Sequence, residues 1–202
     1  MPFRHKYQTY EVRRLLQQAE NQPSPITAKP AHSRGLHAGK IHGGEGASKA
    51  DMMTRTHKQA GESNRTFKNR GGAVRTSTFK NLIQQSDAAC QALNSPYGQA
   101  AMGVLDIVAH ANKSLRVTLT VGPIREAGFL RASAATPMKT VHKTEAAVRT
   151  PAAGAGGVMV IIDRVAGQRE IHIQTCYPVA TLPRGCSYVV QNMATRAQIA
   201  RG

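Results

Sequence analysis

Two hydroxyl side chains, Thr175 and Tyr177, stand near the end of the last segment that has strand character. Alternate residues of a pleated strand share a face, so the face with both hydroxyls would also carry Ile171 and Ile173. That face would change from apolar to polar just before the strand ends, as the lining of a cleft at a sheet edge does. Thr and Tyr also favour strands in their own right, so hydroxyls that only meet solvent would explain the pattern as well. The opposite face would carry His172, Gln174 and Cys176.

A glycine-rich segment, 35–46, carries His37, Lys40 and His42. Imidazole takes or returns a proton near neutral pH, and glycines let backbone amides approach an anion closely. This combination suits phosphoester chemistry, with a histidine for proton transfer and Lys40 for phosphate binding. The segment is not a Walker A loop, and glycine loops with scattered histidines also serve as flexible linkers.

Arg55 lies in a predicted short helix, 49–59. A guanidinium group matches the oxygens of a phosphate, although a single arginine in so basic a chain is commonly only a surface residue. Metal-binding patterns are missing from the sequence, since it has no HExxH motif, no CxxC pair and no acidic cluster beside the histidines. We therefore expect no metal site and no disulfide framework, and whether Cys176 and Cys186 pair stays open.

The chain is strongly basic. Its 202 residues include 27 Lys and Arg against 11 Asp and Glu, a formal charge of +16. Unpaired charge is costly to bury, so the surface must be basic and a polyanion is the expected partner. Aromatic residues make up only 4% and Trp is absent, which favours contacts with phosphate over a wide platform for base stacking. No apolar segment approaches the ~20 residues that span a bilayer, and the first residues lack the apolar region of a cleaved secretory signal.

The elements that must position these residues follow a simple order. Apolar periodicity predicts helices over 79–93 and 96–111 and then strands over 115–121, 157–164 and 169–177, with a further possible strand within 138–150. Helices followed by an antiparallel sheet indicate an α+β domain. We interpret 1–34 as a short amphipathic helix and a Pro-rich linker outside the core, 35–180 as the main domain and 181–202 as a C-terminal tail.

This order of features resembles the bacterial RNase A-like toxin domain of contact-dependent inhibition proteins and related interbacterial effectors. The features that carry the resemblance are histidines with Gly and Lys, a short helix with Arg, the segment SNRTF, two helices, and strands that close with IHIQTCYP. The resemblance covers residues 35–180 and implies an RNase A-like fold with N-terminal helices packed on a C-terminal antiparallel sheet. It also implies a catalytic set of one histidine, His42 or alternatively His37, with Arg55, Thr175 and Tyr177.

The resemblance further implies an activity and its partners. Such a domain would be a metal-independent endoribonuclease without a cofactor, cleaving RNA by 2′-hydroxyl transesterification in competitor bacterial cells. It would be exported by a non-Sec route, act in the target-cell cytoplasm without inserting into a membrane, and bind a cognate acidic immunity protein. Residues 1–34 would then serve for docking to a carrier or secretion component.

Two other functions fit parts of the sequence. A non-catalytic basic nucleic-acid-binding protein would explain the charge but would give no reason for the paired hydroxyls. An ADP-ribosyltransferase effector would need a catalytic glutamate late in the chain, where Glu170 is the only acidic residue after Asp163. We rank the ribonuclease first and the transferase last.

Overall fold

The computed structural model describes residues 5–20, 23–26, 61–69, 75–79, 82–123, 129–133, 150–151, 157–179, 182 and 185–202. Its helices are α1 (Thr9–Glu20), α2 (Asn64–Asn69), α3 (Leu82–Asn94) and α4 (Pro96–Leu105), followed by a 3₁₀ turn at Val108–His110. Its strands are β1 (Arg75–Phe79), β2 (Leu115–Val121), β3 (Phe129–Ser133), β4 (Thr150–Pro151), β5 (Gly157–Arg164), β6 (His172–Val179), β7 (Ser187–Asn192) and β8 (Gln198–Arg201).

The strands form two antiparallel sheets. The larger sheet has the order β6-β5-β2-β7-β8, so β2 lies at its centre and β6 and β8 are its edges. The smaller sheet has the order β1-β3-β4, and β1 lies against the β6 edge of the larger sheet. No helix among the described residues is long and apolar enough to cross a bilayer.

The alternation in LRVTLTV determines which face of the larger sheet is covered. Leu115, Val117, Leu119 and Val121 are all buried, whereas the residues between them are only partly buried. Helices α1, α3 and α4 pack on the face formed by these apolar side chains. Burial of Leu- and Val-sized side chains contributes about 1.5–3 kcal/mol each, so this layer accounts for much of the stability.

Helix α4 begins and ends where local chemistry dictates. Ser95 caps its start by accepting a hydrogen bond from the backbone N–H of Gly98 at 3.0 Å, and Pro96 occupies the first turn. Gly98 is required because a Cβ there would collide with backbone atoms of Ala92 and Leu93 near the end of α3. The guanidinium of the buried Arg164 donates to the backbone carbonyl of Leu105, the last residue of the helix. It also donates to the carbonyls of His110 and Lys113, which follow the helix.

The α+β prediction is confirmed, with helices packed against a five-stranded antiparallel sheet. Strands β2 and β5 occupy the predicted ranges, whereas the predicted helix 79–93 is wrong at its start because Phe79 ends strand β1. The predicted helix 96–111 ends early, at Leu105, where Arg164 binds the carbonyls beyond it. The predicted helix 49–59 and residues 138–149 lie outside the described residues.

Helix α1 belongs to the core, contrary to our expectation that the N-terminal segment stands outside it. Its Val12 and Leu16 are fully buried against α3 and β6. The side chain of Asn94 also binds the backbone of Tyr7, accepting from its N–H at 2.9 Å and donating to its carbonyl at 2.8 Å. These contacts fasten the start of α1 to the end of α3.

The segment 181–202 is likewise not a free tail. It forms β7 and β8, and Val190 of β7 is buried opposite Val117 of β2. The apolar alternation in this segment is short, which is why the sequence did not reveal it. The expected domain boundaries, at 34/35 and 180/181, lie outside the described residues.

Candidate functional site on the outer face of the sheet

Strand β6 contains a β-bulge that determines where its side chains point. In the pairing with β5, Ile161 is opposite Thr175 and Ile162 is opposite Ile173. One residue of β6, Gln174, is therefore extra and has no partner of its own in the ladder. A bulge of this kind breaks the strict alternation of a strand, so the residues after it change faces relative to the simple pattern.

The bulge separates the two hydroxyls from the core. Ile173 and Cys176 are both fully buried on the helix-covered face, although they are three positions apart and strict alternation would place them on opposite faces. Thr175 and Tyr177 therefore share a face, as predicted, but it is not the face of Ile173, and that part of the prediction was wrong. We call the side of the sheet opposite the helices the outer face, and its other members on β5 and β2 are Met159, Ile161, Asp163, Arg116, Thr118 and Thr120.

Tyr177 is held as a neutral hydrogen-bond donor. Its ring is half-buried opposite Met159, and its hydroxyl donates to the Met159 sulfur. Burial raises the pKa of the Tyr177 hydroxyl above its ordinary value near 10. Tyr177 therefore keeps its proton at neutral pH and would serve as a donor rather than as a base. Thr175, opposite Ile161, is partly exposed on the same face.

A buried ionic cluster lies one strand further along the outer face. Asp163 has no exposed surface. Arg116 donates to both oxygens of its carboxylate, from Nε to Oδ1 and from Nη2 to Oδ2, each at 2.7 Å. The hydroxyl of Ser24 donates to the same carboxylate at 2.8 Å. The bond to Asp163 raises the pKa of the Arg116 guanidinium, with burial opposing it. The bidentate pair and the hydroxyl together satisfy a charge that would be costly to bury alone.

His172 stands next to this cluster, directly opposite Asp163 in the ladder. Burial lowers the pKa of its imidazole, Asp163 raises it by a smaller amount, and Arg116 lowers it. The ring is thus neutral at neutral pH. Its Nε2 and the side-chain oxygen of Gln174 are buried and have no hydrogen-bond partner among the residues that the structure describes.

The predicted site residues divide into two groups. The structure brings Thr175 and Tyr177 together on the outer face. The other predicted residues, all from the segment between Ser24 and α2, lie outside the described residues: His37, Lys40, His42 and Arg55. The candidate site is therefore described on the side of the sheet and not on the side of the histidine-bearing segment.

Sequence reasoning missed the cluster around Asp163 and the position of His172. A signal for the cluster was present, because a charged residue interrupts each of two apolar strand patterns, Arg116 in β2 and Asp163 in β5. No comparable signal marks the bulge, and simple alternation therefore put His172 on the face opposite Thr175 and Tyr177. In the structure all three lie on the outer face, since His172 pairs with Asp163.

The cysteines and acidic residues do not form a site in the described part of the chain. Among the described residues, no group of three or more His, Cys, Asp or Glu side chains is placed to hold a metal ion. All three cysteines are free thiols. Cys176 is buried in the core, where burial raises the pKa of its thiol, and the Cys186 sulfur donates to the carbonyl of Gly122 at 3.0 Å.

No family model matches the chain, and no match to it was found among curated proteins or solved structures. The fold is thus described by its own architecture, helices on one face of a five-stranded antiparallel sheet. The RNase A-like family remains a resemblance based on the order of short motifs.

Proposed function

We propose that this protein is a metal-independent endoribonuclease that acts as a toxin in competing bacterial cells. The observation that carries the proposal is the placement of Thr175 and Tyr177, side by side on the outer face and directed away from the core. The formal charge of +16 supports a polyanionic substrate.

The proposed reaction divides its work among the candidate residues. One histidine, His42 or His37, removes the proton of a ribose 2′-hydroxyl, and the resulting oxygen attacks the adjacent phosphorus. The bond from phosphorus to the 5′-oxygen breaks, and that oxygen leaves with a proton from an acid. The products are a 2′,3′-cyclic phosphate and a free 5′-hydroxyl, so atoms and charge balance without an oxidant or a metal.

Charge that develops on the phosphate must be stabilised by donors placed in advance. Arg55 would bind two phosphate oxygens at once, and Lys40 would add a second positive charge. Thr175 would donate a hydrogen bond from the sheet, and Tyr177 would do so once its hydroxyl turns from the Met159 sulfur to the phosphate. The raised pKa of Tyr177 supports this role, because a hydroxyl that keeps its proton remains a donor throughout the reaction.

The biological setting is part of the same proposal. A toxin of this kind would leave its producer by a non-Sec route with a carrier or secretion component and would act in the target-cell cytoplasm. An acidic immunity protein would protect the producer. The high positive charge would speed the encounter with such a partner, since complementary charge increases association rates.

The decisive experiment is incubation of the purified protein with total RNA in EDTA. We expect wild-type cleavage to leave 2′,3′-cyclic phosphate ends, and we expect Thr175→Ala and one of His37→Ala and His42→Ala to abolish it. Thr118→Ala is the matched control, because Thr118 lies on the same face two strands away and should leave cleavage intact. His172→Gln belongs in the same series, since His172 shares the outer face with Thr175.

Products with 3′-hydroxyl ends, or an absolute requirement for metal, would contradict the proposed chemistry. Binding of RNA without cleavage, in the presence or absence of metal, would favour the alternative of a non-catalytic nucleic-acid-binding protein. Equal loss in Thr118→Ala and Thr175→Ala would point to general damage of the sheet rather than to a site.

A further inference from the structure

A groove of about 400 Å³ lies between helices α1 and α3, on the side of these helices away from the sheet core. One of its walls carries the ring of Tyr10, and the other carries Ile83. Both are open to solvent, with 73% of Tyr10 and 54% of Ile83 exposed. The groove is lined by Gln8, Thr9, Tyr10 and Arg13 on one side and by Ile83 and Ser86 on the other.

The groove also carries a positive charge that forms no ion pair with the residues the structure describes. Arg13 is exposed, and no ion pair joins it to a carboxylate among the described residues. The acidic residue in the first turn of α1, Glu11, accepts from the backbone N–H of Gln8, which also lines the groove, at 2.7 Å. Because Tyr10 and Arg13 are three residues apart in a helix, their side chains are neighbours on its surface.

We propose that this groove binds one unpaired nucleotide of an RNA strand. The base would stack on Tyr10, with Ile83 against its other side, and Arg13 would bind the adjoining phosphate. The identification of the ligand as RNA rests on the proposed function. Stacking on one aromatic ring is strong enough to matter, and it tolerates any base because every base has a flat π face.

The dimensions and chemistry of the groove favour a nucleotide over a protein partner. Its volume falls in the usual range for small-ligand sites, ~300–1,000 Å³. A stable protein interface buries about 800 Å² on each side, more than two exposed apolar side chains provide. An aromatic ring beside an exposed guanidinium can bind a base together with its phosphate, and the net charge of +16 attracts the polyanion.

The groove and the proposed catalytic face lie on opposite sides of the helix and sheet layers. Helix α1, which carries Tyr10 and Arg13, packs on the covered face of β6, whereas Thr175 and Tyr177 lie on the outer face of that strand. Because β6 is an edge strand of the larger sheet, a bound RNA strand would pass around that edge to reach both surfaces. The groove would therefore hold the substrate strand at a distance from the bond that is cut, and would act on binding more than on chemistry.

Binding is measured with a short fluorescent single-stranded RNA whose 2′-hydroxyls are methylated, because that probe cannot be cleaved by the proposed reaction. We expect Tyr10→Ala to weaken binding by about fivefold to a hundredfold, the range that loss of one base–aromatic stack produces. Tyr10→Phe keeps the ring and should bind like the wild type. Tyr97→Ala is the matched control, since Tyr97 is an exposed tyrosine on α4 outside the groove.

Arg13→Gln tests the phosphate contact separately. It should lower the slope of log K against log salt concentration by about 0.7, the change expected for one phosphate contact to a single strand. Arg196→Gln, in the turn between β7 and β8, should leave that slope unchanged. Thermal unfolding of every variant checks the fold, and Tyr10→Ala should unfold like the wild type because its side chain is mostly exposed.

The outcomes separate this inference from the proposed function. Wild-type cleavage with unchanged binding in Tyr10→Ala would overturn the groove and leave the ribonuclease standing. Binding that depends on Tyr10, without cleavage of unmodified RNA, would overturn the ribonuclease and support the groove. Equal weakening of RNA and poly-glutamate binding in Tyr10→Ala would show a general anion surface and overturn the nucleotide site, and a wild type that neither binds nor cuts RNA would overturn both proposals.

Discussion

The two faces of the larger sheet come from the same strands but have different chemistry. On the helix-covered face, side chains such as Val117, Leu119 and Val160 are fully buried and entirely apolar. On the outer face, hydroxyls and a buried ion pair replace them, and Asp163 is as inaccessible as any core residue. Stability on the first face comes from apolar burial, whereas on the second it depends on each polar group having its partner.

The bulge at Gln174 maintains this division in β6. Without it, an uninterrupted alternation would carry Thr175 and Tyr177 to the same side as Ile173, among apolar side chains. With it, Cys176 follows Ile173 into the core and the hydroxyls remain outside. With all of its residues present, β6 therefore keeps the hydroxyls on the outer face only through this bulge.

The largest expected effect comes from deleting one residue from a paired strand. Deleting Ile161 moves every later residue of β5 to the wrong face, and we expect the protein not to fold. Deleting Gln174 only removes the bulge, leaving Ile173 and Cys176 on the core side and Thr175 on the outer face. We expect this second variant to fold, as judged by circular dichroism and urea unfolding. Equal loss of structure in the two variants would contradict the role assigned to the bulge.

The next effect concerns the ion pair of the outer face. Arg116→Met leaves the fully buried Asp163 carboxylate without its cation, and we expect a loss of about 3–5 kcal/mol in the free energy of unfolding. The double variant Arg116→Met/Asp163→Leu removes both charges and should recover most of that loss. Urea unfolding measures both. A double variant that is as unstable as the single one would show that the ion pair contributes more to the free energy of unfolding than the mutual neutralisation of its two charges.

A direct comparison of the two faces uses neighbouring residues of β2. Leu119→Ala removes buried apolar atoms and leaves a cavity, so we expect a loss of about 2–5 kcal/mol. Thr118→Ala, on the outer face, should change the free energy of unfolding by about 0.5 kcal/mol or less. The pair is measured by urea unfolding under one condition. A large effect in Thr118→Ala would mean that the outer face is packed more tightly than its partial exposure indicates.

The parts of the fold that were predictable are those with an uninterrupted pattern. β2 alternates along its whole length and β5 begins with an apolar run from Gly157 to Ile162, so each was identified at its observed bounds. Phe79 was misassigned because its spacing to Leu82 and Ile83 fits a helix as well as a strand that precedes one. β7 was missed because six residues give too short a pattern to stand out in a segment interpreted as a tail.

The candidate site was predictable only in its residue types. The hydroxyl pair was identified from the sequence, whereas the face it occupies depends on a bulge that has no local signature. The bond between Ser24 and Asp163 joins residues 139 positions apart, a tertiary contact that local patterns cannot reveal. For the same reason the packing of α1 was missed, since its buried side chains gain a partner only when α3 and β6 are in place.

The smallest expected effect is a pH dependence from His172. His172 of β6 lies opposite Asp163 of β5, and Arg116 of β2 lies beyond that carboxylate. Burial together with the guanidinium outweighs the carboxylate and lowers the pKa of the His172 imidazole in the folded protein. In the unfolded chain the imidazole titrates near its ordinary value of about 6.5. Below that pH the unfolded chain binds the proton more readily than the folded protein, so the free energy of unfolding must fall as pH falls through this range.

His172→Gln removes that contribution while the other histidines titrate in both proteins. The wild type should therefore lose more stability than the variant between about pH 7 and about pH 5, as measured by urea unfolding at each pH. A difference between the two that is independent of pH would mean that the imidazole is not shielded as its burial indicates. It would also weaken the comparison between the faces. If water reached the outer face at His172, it would screen the ion pair between Arg116 and Asp163, and that pair would not be enclosed as its burial indicates.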